Sequence, residues 1–304
     1  SYKNMVSIYP MINALEKGAR LLDFEIYSQN NKAVIAAADN PSYKIKDTYN
    51  SLSLGEAFNA IQNHAFSSVA NTTDPLFLNF RIKSSNTKVL GQLMTGLNIL
   101  KSRLLTTTYP QFGGHLKMGK LINLPTTFKS VKGKIIIIIN IPESAGKYCN
   151  GCRGDMSDPS YGNEYINFSD KSPFQFNYRF DSIKNKHNID MFKNQNKKNI
   201  ALVYPNLEDS VNNVNWRIPF SYGCQFVLMN YQTKDNFIDD YQKKFATSSF
   251  ILKPKNLREI PVTIENDNLE DETVGYGPRL QTSEQPLVDE VLKNIGGAGE
   301  RAAF

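Results

Sequence analysis

The chain has 304 residues, 40% hydrophobic and 11% aromatic, with 35 Lys and Arg against 29 Asp and Glu and a mean hydropathy of -0.41. That is enough apolar side chain for one large core or two smaller ones, and it excludes disorder along the whole length. No run approaches the ~18 apolar residues of a membrane-spanning helix, and the opening SYKNMVSIYP does not read as a secretory signal.

MINALEKGARLLDFEIY begins with a short helix, Met11 to Lys17, stopped by Gly18. A strand from Leu21 to Tyr27, a turn at SQNN and a second strand at KAVIAAA follow. LSLGEAFNAIQNHAF puts Leu54, Ala57, Phe58, Ile61 and Ala65 on one helical stripe. DPLFLNFRI reads as a strand, and Thr87 to about Leu105 as a long helix. KIIIIINIP is too short to span a bilayer, and its β-branched run suits a strand buried on both faces.

Residues 141–199 are rich in Asn, Ser, Gly, Asp and Lys and read as an irregular insertion or linker. Cys149 and Cys152 form CNGC within it. One such pair is a weak zinc or redox signal, with His187 the only histidine nearby in sequence; a local disulfide and inert thiols are the other readings. Cys224 stands apart in a strand-like run.

The regular pattern returns with strands at NIALVYP and YGCQFVLMNYQT, a helix at KDNFIDDYQKKF and a last short strand at SSFILKP. From Ile264 to Phe304 nine acids stand against three bases, so the preceding body carries about twice the overall net charge of +6. That tail holds a short amphipathic helix with Leu287, Val288, Val291, Leu292 and Ile295, stopped by Gly296 and Gly297. Alternating strands and helices indicate an α/β protein with a parallel sheet, open or closed as a β/α barrel. No glycine-rich phosphate loop follows the first strand, which disfavours a nucleotide fold.

Taken together, ALEKGARLLDFEIYSQNNKAVI, SLGEAFNAIQNHAF, DPLFLNFRI, TTFKSVKGKIIIII, IALVYPNL, YGCQFVLMNYQTKDNFIDDY and FILKPKNLR resemble the phosphatidylinositol-specific phospholipase C family, in its order, over roughly residues 10–260. The resemblance implies a distorted TIM barrel of the phospholipase C type, with an irregular insertion and a C-terminal extension. Residues 1–140 would form its first half, 141–199 the polar linker, 200–260 the second half and 261–304 the acidic extension. In the family's eukaryotic members the resemblance implies calcium-dependent cleavage of phosphoinositides. Two histidines supply acid/base chemistry, Asn, Glu and Asp hold the metal, and basic residues with a tyrosine hold the phosphorylated ring.

Against that pattern Asp23 and Glu25 stand at the first two acidic positions with their order exchanged, on one face of a strand. They are the candidate metal ligands if a cation is retained. The third carboxylate position reads as Arg81, a cation that argues against a metal and is expected to pair with Asp23 or Glu25. The window of the second catalytic histidine reads Ala36, Ala37 and Ala38. His64, in a helix, and His115, in a Gly-rich loop, match no family position, and neither does His187. The substrate-gripping positions read Ile138, Asn140 and Leu202, while Tyr204 is kept and is read as core.

These losses point to a barrel without catalytic residues and without a cofactor, used as a structural or interaction module. GARLLDFEIYS, DTYNSLSLGEAFNAI and LKPKNLREIPVTI resemble divergent phospholipase-C-like proteins of large DNA viruses. That resemblance implies a virion or minor capsid component whose partners are protein subunits. Two alternatives remain open: a calcium-dependent phosphatidylinositol phosphodiesterase with a rebuilt site, and a module for anionic lipid or membrane surfaces, motivated by the basic body. The expected location is the virion, or otherwise the cytoplasm or a membrane periphery. Nucleic acid is disfavoured, because the bases are scattered and no reader motif is present.

Overall fold

The computed structural model describes residues 5–38, 45–67, 72–86, 88–105, 131–140, 165–169, 175–206 and 212–259. The chain divides into two compact units, Ser1–Glu259 and Ile260–Phe304. The second unit, with the helix expected near Leu287, lies outside the described residues, as do His115, Cys149 and Cys152.

Helix α1 (Ile8–Glu16) starts at Ser7, whose hydroxyl accepts the Tyr9 N–H, and ends at Gly18, whose φ of 88° is open to glycine. Strands β1 (Leu21–Gln29) and β2 (Lys32–Ala36) form a hairpin, with Asn30 and Asn31 at φ 52° and 60°. Two consecutive left-handed residues match the right-handed twist of the flanking strands, which is why Asn-Asn serves here. The two-residue strand β3 (Leu52–Ser53) leads into α2 (Leu54–His64).

That junction is a capping box. The Ser53 hydroxyl accepts the Glu56 N–H at 3.2 Å, and Glu56 Oε2 accepts the Ser53 N–H at 3.0 Å. Ser53→Ala is therefore expected to cost about 1 kcal/mol. For a unit of this size that lowers Tm by roughly 2–4 °C in a thermal melt, with Ser53→Asp restoring it. Leu54, Ala57, Phe58, Ile61 and Ala65 are all buried, as their stripe predicts.

Parallel strands β4 (Leu76–Ile82), β5 (Ile135–Asn140) and β6 (Ile166–Ser169) complete a six-stranded sheet in the order β3-β2-β1-β4-β5-β6. Between β4 and β5, α3 (Lys88–Leu97) ends in a 3-10 turn at Asn98–Leu100, short of the predicted Leu105. The chain is pulled out of helix there because Leu105 donates to the Ile135 carbonyl at 2.8 Å. The second sheet, β7-β8-β9, is parallel: β7 (Gln175–Arg179), β8 (Ile200–Tyr204) and β9 (Phe226–Val227).

Helices α4 (Phe180–Lys184) and α5 (Ile189–Lys198) connect β7 to β8. The described residues of 165–199, a span read from composition as part of an irregular insertion, thus hold two strands and two helices. Their polarity has a structural reason: α5 buries only Phe192 and Asn196, and β7 turns Gln175, Asn177 and Arg179 to one face. Helices α6 (Arg217–Ser221) and α7 (Asn236–Lys244) flank β9. The strand predicted at SSFILKP is not formed. Instead the half-buried Phe250 ring packs 6.3 Å from both Phe77 and Phe226.

The expectation of a barrel holds as a mixed α/β fold of two sheets, and among the described residues no strand pairing joins them. They still share an interior. Phe77, Ile136 and Ile138 of the first sheet cluster with Leu202 and Tyr204 of the second. The opposite face of β1, β4 and β5 is covered by α2 and α3, through Phe58, Ile61, Leu93 and Leu97. Burial on both faces explains the unbroken apolar runs of β4 and β5.

Candidate functional site

Register builds the site in rows. Leu21 of β1 lies beside Phe77 of β4, which lies beside Ile136 of β5. The next row on the same face is Asp23, Asn79 and Ile138, and the third is Glu25, Arg81 and Asn140. The interior therefore changes from apolar to polar toward the C-terminal ends of the strands. Arg179 of β7 and Tyr204 of β8, paired in register, supply the facing wall.

Arg81 binds both acids. Its Nε donates to Asp23 Oδ1 at 3.0 Å and Oδ2 at 3.1 Å, and its Nη2 to Asp23 Oδ2 at 2.5 Å. Its Nη1 donates to Glu25 Oε1 at 2.8 Å. Asn79, fully buried, donates from Nδ2 to Asp23 Oδ1 at 2.6 Å and to the Tyr204 hydroxyl at 2.7 Å, and accepts from Asn140 at 2.9 Å. Glu25 Oε2 accepts from the Tyr27 hydroxyl at 2.9 Å and from the Ala38 N–H at 3.1 Å. Lys83 Nζ stands 3.8 Å from Glu25 Oε1. All four carboxylate oxygens thus have donors.

Burial alone would lower the Arg81 pKa, but the charge and hydrogen bonds of Asp23, then the charge of Glu25, hold it above its ordinary value. Burial, then the Asp23 charge, raises the Tyr204 phenol. Burial, then Glu25, raises that of Tyr27. Both tyrosines are therefore neutral hydroxyls at physiological pH. Lys83 and Arg179 are lowered, Lys83 mainly by burial and Arg179 by burial and then by Arg81.

Of the residues singled out in the sequence, Asp23, Glu25, Arg81, Asn140 and Tyr204 meet in this cluster. The expected pairing of Arg81 with one acid is a pairing with both. The alanine window contributes a backbone donor, Ala38 N–H, where a side-chain imidazole was looked for. Tyr204 is buried as core, yet its hydroxyl joins the polar network. Ile138 is fully buried apolar wall, and so is Leu202. His64 ends α2, away from the cluster, with its Nδ1 3.9 Å from Glu16; His187 is exposed between α4 and α5. Among the described residues no histidine lines the cavity at this end of the strands.

Sequence reasoning missed Asn79, Tyr27, Lys83 and Arg179. The signal for Asn79 was present: a lone amide inside LFLNFRI, a strand otherwise apolar up to Arg81, is a buried polar group that must find partners.

No protein-family model and no curated protein sequence matches the chain. Solved structures match it in fold. PLC21 of L. pealei aligns with a TM-score of 0.58 and 16% identity over 83% of this chain and 35% of its own. PLC21 of S. officinalis aligns at 0.56 and 17% over 84% and 35%. A Ca2+-dependent phosphatidylinositol-specific phospholipase C of Streptomyces antibioticus aligns at 0.46 and 10% over 74% and 90%. This chain spans about a third of the length of either PLC21 chain. At such identity the likeness to the two PLC21 chains establishes fold alone, and the fold of the described residues is phospholipase-C-like.

Proposed function

We propose that this chain is a catalytically inactive, phospholipase-C-like distorted barrel used as a structural or interaction module. The observation that carries the reading is the Arg81 guanidinium held between Asp23 and Glu25. A calcium ion takes six to eight oxygen ligands, mainly carboxylate, carbonyl and water. Here the carboxylate oxygens are engaged by N–H and O–H donors, and a permanent cation stands among them, so the donor set does not fit calcium. Acid/base catalysis has no candidate imidazole among the described residues at this site, and its loss typically costs ~10²–10⁴-fold in rate.

The test is turnover together with metal binding. The chain, supplied with phosphatidylinositol vesicles and millimolar calcium, is expected to release no inositol phosphate above background and to give no calcium heat by calorimetry. Calcium-dependent release would overturn the reading and favour a rebuilt enzyme.

As a module its partners are protein subunits, and the viral resemblance of GARLLDFEIYS and LKPKNLREIPVTI supports a minor component of a large-DNA-virus particle. Purified particles are then expected to contain the chain at a fixed ratio to the main shell protein. A variable ratio, or removal by a salt wash, would count against that role.

A further inference from the structure

A half-open cavity of about 840 Å3 in the Ser1–Glu259 unit is lined by residues from the Arg81 cluster to the N-terminal ends of the strands. Its wall includes the apolar side chains of Met11, Leu21, Phe77, Phe226, Leu228 and Phe250. Phe77 packs on Phe226 at a ring distance of 4.7 Å. On the β8–β9 wall the apolar side chains run from Leu228 to Phe226, while the β1–β4 wall between Phe77 and Arg81 is polar at Asp23 and Asn79. Apolar cavities of roughly 300–1,000 Å3 with a few convergent polar groups are the usual form of a small-molecule site.

At the polar end Arg81 is bound by both Asp23 and Glu25, whereas Arg179, which also lines the cavity, is not. The Arg179 Nη1 donates to the Pro205 carbonyl at 2.8 Å, its guanidinium lies 5.6 Å from the Tyr204 ring, and among the described residues no carboxylate forms an ion pair with it. Burial and the Arg81 charge both disfavour its cationic form, and an anion beside it would offset both.

We infer that the cavity binds a single-chain anionic amphiphile, its head group at Arg179 and its hydrocarbon chain along Phe226, Phe77 and Phe250. The head is a carboxylate or a phosphate, since a guanidinium grips either through paired N–H donors. The inference needs no catalysis and stands apart from the reading above: an inactive module and an active enzyme could each hold such a ligand.

Calorimetry with decanoate, decyl phosphate and decyltrimethylammonium, each below its micelle concentration, tests it. One equivalent of decanoate or decyl phosphate is expected to bind saturably, and the tighter of the two identifies the head. Arg179→Ala is expected to weaken that binding at least tenfold. Leu228→Glu, on the half-exposed wall, is expected to weaken it comparably, with both variants checked for an unchanged circular dichroism spectrum. Affinity of both folded variants within twofold of the parent would overturn the proposal, as would equal binding of decyltrimethylammonium. Acetate or inorganic phosphate binding as tightly as the long-chain ligands would place the affinity in the head alone and remove the apolar site.

Discussion

Arg81→Leu is expected to destabilise the folded unit by about 3–5 kcal/mol, the cost of leaving buried charge without its partner. The side chains of Asp23 and Glu25 are 15% and 8% exposed, so water screens neither well. Lys83 stays near Glu25 at 3.8 Å, but among the described residues Asp23 has no ion-pair partner except Arg81. Asn79 Nδ2 alone would then serve Asp23 while also serving Tyr204. In a unit of this size the deficit lowers Tm by roughly 6–20 °C. The triple variant Asp23→Leu, Glu25→Leu, Arg81→Leu separates the value of the pair from the penalty of breaking it. Apolar replacement of a whole buried ionic cluster is often near neutral, so the triple variant should recover most of the loss. A single variant within 1 kcal/mol of the parent would mean that solvent or neighbouring groups already carry these carboxylates.

The sequence made the strand rows legible because each has a period of two and an apolar frame. Asp23 and Glu25 had to share a face. Their nearness to Arg81 came from the resemblance, which set Arg81 at the third acidic position, and from that an ion pair between one cation and an acid could be expected. What stayed hidden was whatever depends on partners distant in sequence. Tyr204 meets Asn79 across 125 residues, and nothing within IALVYP says that its hydroxyl is used. Strand β7, QFNYR, does alternate, but its apolar face is only Phe176 and Tyr178, too short a run to stand out from the polar sequence around it. The opposite error arose at SSFILKP, where an apolar run was read as a strand although Phe250 packs as a single ring against Phe77 and Phe226. The Leu105 boundary failed for a third reason: the helix pattern continues in sequence, but a backbone hydrogen bond to Ile135 captures the chain first.

Arg81→Glu is expected to reverse the electrostatics of the site and create a divalent-cation site. Position 81 lies in register between Glu25 and Asn140, on the face shared with Asn79. A glutamate there would set three carboxylates and the Asn79 and Asn140 amide oxygens around one volume, the hard-oxygen donors that calcium prefers. Without metal the variant carries three like charges at close range and should be less stable than Arg81→Leu. With metal the penalty is relieved by linkage. A weak site of Kd about 10⁻⁴–10⁻³ M in 10 mM calcium gains about 1.4–2.7 kcal/mol, which raises Tm by roughly 3–10 °C. The parent, whose guanidinium already occupies the charge minimum, should melt at the same temperature with and without calcium. Turnover is not expected to follow, because Ala36–Ala38 still offer no proton donor or acceptor from a side chain. If the parent itself were stabilised by calcium to that extent, Arg81 would not be the group that neutralises Asp23 and Glu25, and the inactive-module reading would fail with it. If Arg81→Glu folded but ignored calcium, the rows would hold the carboxylates too far apart to share an ion, and the loss of the site would reach beyond a single residue.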